Sequence, residues 1–291
     1  MEKAIHSGRS KASALGKKGA GRSAYVMKPE SLALVENFRL MDDTFMSKCL
    51  ENAPECIELI LRVIIGKKDL KVIKSQTEYP IKSLQGRGVR FDVFARDSKG
   101  REYDIEIQRA DKGAEPKRAR YNSALMDANA LKSGEDFGKL RDTYVIIITE
   151  NDVMGRGQGV YVFDRMDKKC GLDFGDGAHV VYANGMWRGD DALGRLMCDF
   201  NCRDANKMHY DVLKKRVSQL KDSEEGRRIM CKAVEEFAER RAAEAKAEGE
   251  RKTMLATAKR MLESGMLALK DIAKFSGLSL VQVKKLQAEM A

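Results

Sequence analysis

Apolar residues return every three or four positions through MDDTFMSKCL (41–50) and APECIELILRVIIG (53–66). That spacing predicts two helices, broken near Pro54 and stopped at Gly66. The period then falls to two. LKVIKSQTEYPIK (70–82), VRFDVFAR (89–96) and EYDIEIQR (102–109) read as three strands, followed by a helical pattern over 115–134 with Pro116 near its start and Gly134 after its end. TYVIIITE (143–150) is an almost unbroken run of β-branched residues, which suits a strand buried on both faces. The order is therefore α-β-β-β-α-β, with shorter strands expected at 159–164 and 179–184 and helices from about 190.

The second and third strands carry the chemistry. Alternation puts Phe91, Val93 and Ala95 on one face and Asp92 and Phe94 on the other; Tyr103, Ile105 and Ile107 share a face opposite Asp104, Glu106 and Gln108. Burying both apolar sets together fixes the register, and a Ser98-Lys99-Gly100 loop with a left-handed Gly100 delivers it. Asp92 then faces Glu106, and Phe91 faces Ile107. Carboxylates at that separation repel unless a cation or a shared proton lies between them. A hard divalent ion such as Mg²⁺ resolves the conflict, because one or two carboxylates plus waters and phosphate oxygens commonly hold it. Gln108, on the same face, would orient a metal-bound water. Spacing alone also admits an ordinary half-solvated sheet, with both acids facing water or arginine.

Composition narrows the class. With 43% apolar and 34% charged residues the chain reads as globular and water-facing, and its richest apolar run, 57–66, is too short to span a membrane. No apolar leader core opens the chain, so a cytoplasmic setting is expected. Six cysteines without framework spacing fit reduced, mostly buried thiols. The net charge of +10 suits a polyanionic partner, and seven Lys and Arg among residues 1–28, against Glu2 alone, mark a disordered basic arm. Arg109, Lys117, Arg118 and Arg120 cluster just past the acidic pair, where they would grip a phosphate backbone or simply form a solvated face.

Beyond residue 190 the signals weaken. The segment 223–263 alternates in charge like a solvent-facing or self-associating helix, and Gly249 interrupts it. LKDIAKFSGLSLVQVKKLQ (269–287) reads as helix, turn, helix, either a DNA-reading motif or a hairpin capping the long helix. CDFNC (198–202) with His209 lacks a fourth zinc ligand, and His179 reads as structural.

LMDDTFM (40–46), LQGRGVRFDVFARDSKGREYDIEIQR (84–109), KRARYNSALMDANALKSGEDF (117–137) and YVIIITENDVMGRG (144–157) together resemble the PD-(D/E)XK nuclease superfamily. More narrowly, the chain is similar to the Rpn-type recombination-promoting nucleases, also called PD-(D/E)XK family transposases, over about residues 37–291. The resemblance implies an α/β restriction-endonuclease-like core at 37–190, a helical extension at 191–263 and a helical hairpin at 264–291. It implies phosphodiester hydrolysis in DNA with Mg²⁺ or another hard divalent cation held by Asp92 and Glu106. Asp42, or Asp43 beside it, would complete the acidic set, and Gln108 would take the place of the superfamily's lysine. Gln is usual in the narrower family but carries no positive charge, and Phe91-Asp92 departs from the Pro-Asp of the superfamily's name. The alternative is a DNA-binding or self-associating protein, joined through its C-terminal helices, that keeps this fold with little or no catalysis.

Overall fold

A computed structural model describes residues 25–83, 86–110 and 113–290. The basic arm read over 1–28 therefore lies outside the described residues except at its end, where Tyr25 and Met27 pack on the core and Lys28 pairs with Glu235 at 3.3 Å.

Three helices, α1 (Pro29–Asn37), α2 (Asp43–Leu50) and α3 (Pro54–Ile65), precede β1 (Val72–Ile81), β2 (Val89–Asp97) and β3 (Glu102–Gln108). Then follow α4 (Pro116–Ala130), β4 (Thr143–Thr149), β5 (Val160–Phe163) and β6 (Ala178–Asn184). The strands form one mixed sheet in the order β1-β2-β3-β4-β6-β5. β1, β2 and β3 are antiparallel, β4 runs parallel to β3 and β6, and β5 pairs antiparallel at the edge. β4 is central and buried along its whole length, which accounts for its continuous apolar run.

Each sheet face is covered by helices. Val93, Tyr103, Ile105, Ile146 and Ile148 join the main core with side chains of α2 and α3, of α5 (Ala192–Asn201) and α6 (Asp211–Lys221), and of the start of α7 (Glu224–Ser264). Phe91, Phe94, Val145, Ile147 and Tyr182 meet Ala119, Leu125 and Met126 of α4 on the other face. The result is a three-layer helix–sheet–helix sandwich.

The β2–β3 turn closes as the sequence reads. The Asp97 amide donates to the Arg101 carbonyl at 3.0 Å, and Gly100 has a φ of 83°. The alternation is different at Phe91, which lies with Phe94 rather than with Val93 and Ala95. The break coincides with Glu78 of the neighbouring β1, which has a φ of 49°; no Glu78–Asp92 rung joins β1 to β2 between Thr77–Val93 and Tyr79–Phe91. A left-handed residue breaks the pleat, so side chains on either side of the break no longer follow one alternation.

α7 runs unbroken for 41 residues, through Gly249. Its Ala-, Glu- and Lys-rich flanks are strong helix formers, against which one glycine costs only about 1 kcal/mol. Met230, Cys231 and Ala233 bury its first half, residues 241–253 are all exposed, and Ala258 then packs with Ile272, Leu278, Val283 and Leu286. The 264–291 hairpin, α8 (Leu269–Ser276) and α9 (Leu280–Met290), thus closes a small three-helix core with the end of α7. No described helix is long and apolar enough to cross a membrane.

Candidate active site

The open end of the β2–β3 hairpin gathers three acids. The ladder runs from Arg96–Glu102 to Val93–Ile105 and stops. One residue further, the Ile107 amide donates to Asp92 Oδ2 at 3.0 Å, so the carboxylate takes the place of a backbone acceptor. Glu106, across from it, is 1% exposed and receives a close ion pair from Arg118 Nη2 on α4 at its Oε2. Gln108 Nε2 donates to the same oxygen at 3.4 Å. Asp104, two residues before Glu106 on the same strand face, is fully buried and accepts from Asn122 Nδ2 of α4 at 2.8 Å.

Burying three carboxyls together has an electrostatic cost. Desolvation first, then the charges of Glu106 and Asp43, push the Asp92 carboxyl well above the usual carboxylate range. Desolvation and then Glu106 push Asp104 the same way. Burial also raises Glu106, against the pull of Arg118. Asp104 Oδ1 and Glu106 Oε1 are both buried with no donor to receive. A shared proton, a bridging water or a bound cation would satisfy two such oxygens.

Gln108 is held as tightly as its neighbours. Gly113 has a φ of 132°, and a Cβ there would come within 2.4 Å of Gln108 Oε1. Glycine is thus favoured at 113 by backbone conformation, and any side chain there would displace the Gln108 amide.

Asp42 and Asp43 part company at the start of α2. Asp42 precedes the first helical turn and is engaged by arginines, accepting from the Arg39 amide at 2.7 Å and pairing with Arg109 Nη1 at 2.9 Å. Arg39 and Arg109 also bind Glu150, at 2.8 and 3.4 Å. Asp43, about 100° further round the helix, lines an open cleft of about 570 Å³ together with Asp92, Gln108 and Arg118. Its carboxyl is raised by burial, against Arg90, Arg240 and Arg241.

A second cleft of about 800 Å³ adjoins the first, lined by Arg87, Arg90, Lys117, Arg118, Arg120 and Tyr121. Arg90 and Arg118 line both, so a cationic trough leads to the acids. Lys117, Arg118 and Arg120 converge as a group, whereas Arg109 is tied to Asp42 and Glu150. Sequence reading missed Arg87 and Arg90; their signal was two arginines within five residues before Asp92. It also missed Arg241 of α7, which no local pattern connects to the hairpin.

The other histidine and cysteine candidates lie elsewhere. His209 Nδ1 meets the buried Asp199 at 2.8 Å, and His179 stacks on Tyr144 at 4.3 Å and meets Asp164 at 2.6 Å. Cys49, Cys56 and Cys231 are buried, Cys198 and Cys202 half-buried, and Cys170 exposed; all are free thiols.

Residues 51–183 match the family model of the PD-(D/E)XK nuclease family transposases. The chain is similar to this family over that segment, a little under half of its length. No curated protein and no solved structure matches the chain. The matched segment carries Asp92, Asp104, Glu106, Gln108 and the basic residues of α4. Asp43 and Arg241, which line the same cleft, come from outside it on either side.

Proposed function

We propose that the protein is a metal-dependent DNA endonuclease of the recombination-promoting type, in which Asp92 and Glu106 hold Mg²⁺ or another hard divalent cation. The observation that carries this reading is the acid group at the open end of the hairpin, buried, mutually repelling and short of donors, beside a cationic trough. Among the described residues no group of three or more His, Cys, Asp and Glu side chains is arranged as a metal cage. The donor set fits instead a partly hydrated ion on two carboxylates, the usual manner for Mg²⁺. A divalent ion bound there supplies Lewis-acid polarisation of the phosphate and a water that ionises near neutral pH.

The chain's own groups do the rest. Asp92, fixed by the Ile107 amide, and Glu106, fixed by Arg118 and Gln108, present oxygens that need no rearrangement. Asp43 adds negative charge on the far side of the cleft and stands in the completing position more directly than Asp42 does. Gln108, wedged between Gly113 and Glu106, orients a water through its amide but contributes no positive charge. Arg87, Lys117 and Arg120 grip the DNA backbone, setting affinity and salt dependence without reading sequence.

One observation favours a second reading. Arg118 already neutralises one Glu106 oxygen, and with a neutral Gln108 beside it the acids would be quiet enough for a DNA-binding protein that cleaves slowly or not at all. Nicking of supercoiled plasmid in Mg²⁺, with EDTA controls and a parallel binding assay, separates the two. The nuclease reading expects nicking by wild type and a loss of roughly a hundredfold or more in Asp92→Ala and Glu106→Ala, with DNA binding kept. Equal cleavage by all three contradicts it. Binding without cleavage in all three supports the second reading.

A further inference from the structure

We propose that α7 is the second jaw of the cleft and that Arg241 contacts a phosphate of DNA lying over Asp92. This rests on the cleft being the DNA site. The sequence reads this helix as solvent-facing or self-associating, yet its geometry ties it to the acids. Arg241 lines the same cleft as Asp43, Asp92 and Arg118, so one wall of that cleft comes from a residue about 150 positions away in the chain.

The position of Arg241 is built rather than incidental. Two to three turns before it, Met230, Cys231 and Ala233 are buried in the fold, and Phe237 lies with Asp43, Thr44 and Glu78 around a small gap between α7, α2 and β1. Arg240, next in the chain, stacks over Phe237 at 5.4 Å and reaches Glu78 at 3.3 Å. These contacts fix the backbone at 240 and set the neighbouring side chain toward the cleft.

Arg240 and Arg241 differ in what remains available. Arg240 is spent on Glu78, which Arg90 also approaches at 3.8 Å. The side chain of Arg241 is 69% exposed; it lies over the Phe237 ring at 6.0 Å, at the edge of a cation–π contact, and Glu244 stands 3.9 Å away, at the limit of an ion pair. A guanidinium lining the cleft together with Arg118, Asp43 and Asp92 is what a phosphate entering it would meet. The next stretch of α7, exposed from 241 to 253, then leads from the cleft to the three-helix module at its far end.

The test is DNA binding by the full chain in EDTA, measured by fluorescence anisotropy over a salt series. Arg241→Gln, Arg241→Lys and Arg251→Gln are compared with wild type. Arg251 is an exposed control ten residues on, about 15 Å along the helix. The expected result is roughly tenfold weaker binding for Arg241→Gln, the worth of one charge-assisted contact. Its salt slope should also be shallower by about one, with partial recovery in Arg241→Lys and no change in Arg251→Gln. In nicking assays Arg241→Gln should raise KM and leave kcat near wild type. Unchanged binding in Arg241→Gln, an equal loss in Arg251→Gln, or a wild type that binds no DNA overturns the assignment. The nuclease reading fails separately, through the Asp92→Ala and Glu106→Ala nicking result.

Discussion

The two ends of the β2–β3 hairpin use the same residue type in opposite ways. At the turn, Asp97 is buried and fully engaged: Oδ1 accepts the Lys99 and Arg101 amides at 2.9 and 3.0 Å, and Oδ2 accepts Arg101 Nε at 2.7 Å and the Tyr103 hydroxyl at 2.8 Å. Burial works against its charge, but the Tyr103 and Arg101 bonds prevail and hold it below its ordinary range. At the open end, about five residues away, Asp92, Asp104 and Glu106 are raised and crowd one another, and Asp104 Oδ1 and Glu106 Oε1 have no donor. A buried carboxylate with four donors is a structural clamp. Three carboxyls sharing too few donors are a site that stability alone would not assemble.

Removing the clamp should have the largest effect. Asp97→Ala strands Arg101 in a buried position, and chemical denaturation should show a loss of about 3–5 kcal/mol. If the loss is below 1 kcal/mol, the turn end is not the clamp described here.

Gly113→Ala should be milder, because it strains one backbone position and displaces Gln108. We expect about 1–2 kcal/mol in a melt, with nicking reduced more than stability. Nicking at wild-type level would detach Gln108 from the site.

At the open end the sign reverses. Asp92→Asn keeps an oxygen for the Ile107 amide while removing a charge from a repelling set. Metal-free protein at neutral pH should gain on the order of 1 kcal/mol. The pH dependence sharpens the contrast. Asp92 is raised in the fold, so the folded protein binds that proton more tightly than the unfolded chain. Its contribution is full below about pH 4 and is lost as pH rises through the folded value. The advantage of Asp92→Asn over wild type should therefore grow as pH rises from about 4 toward neutrality. For Asp97, which is depressed, stabilisation is present above about pH 4 and lost as pH falls through the folded value. The penalty of Asp97→Ala should shrink on acidification. Parallel pH profiles for the two variants would erase the distinction between the ends.

Much of this hairpin was legible in the sequence because its determinants are local. Period-two alternation, a three-residue loop and Gly100 suffice to pair Val93 with Ile105, and continuing that register brings Asp92 to Glu106. Departures arise where distant parts decide. Phe91 changes face beside the left-handed Glu78 of a different strand, where the β1–β2 rung is missing. Asp104 gains weight only once Asn122 of α4 is packed on it. The choice between Asp42 and Asp43 turns on where α2 begins, a matter of one residue and 100° of rotation. Arg118 reaches Glu106 through the docking of α4, and Arg241 reaches the cleft through the docking of α7. No spacing rule encodes either contact.

Calorimetric titration of the full-length protein with Mn²⁺ or Mg²⁺, repeated on Asp92→Asn and on an exposed control such as Arg251→Gln, tests the central claim most directly. The account predicts one saturable divalent site in wild type and in the control, with binding abolished or weakened at least tenfold in Asp92→Asn. Identical titrations for wild type and Asp92→Asn, or no saturable binding in wild type, would contradict it.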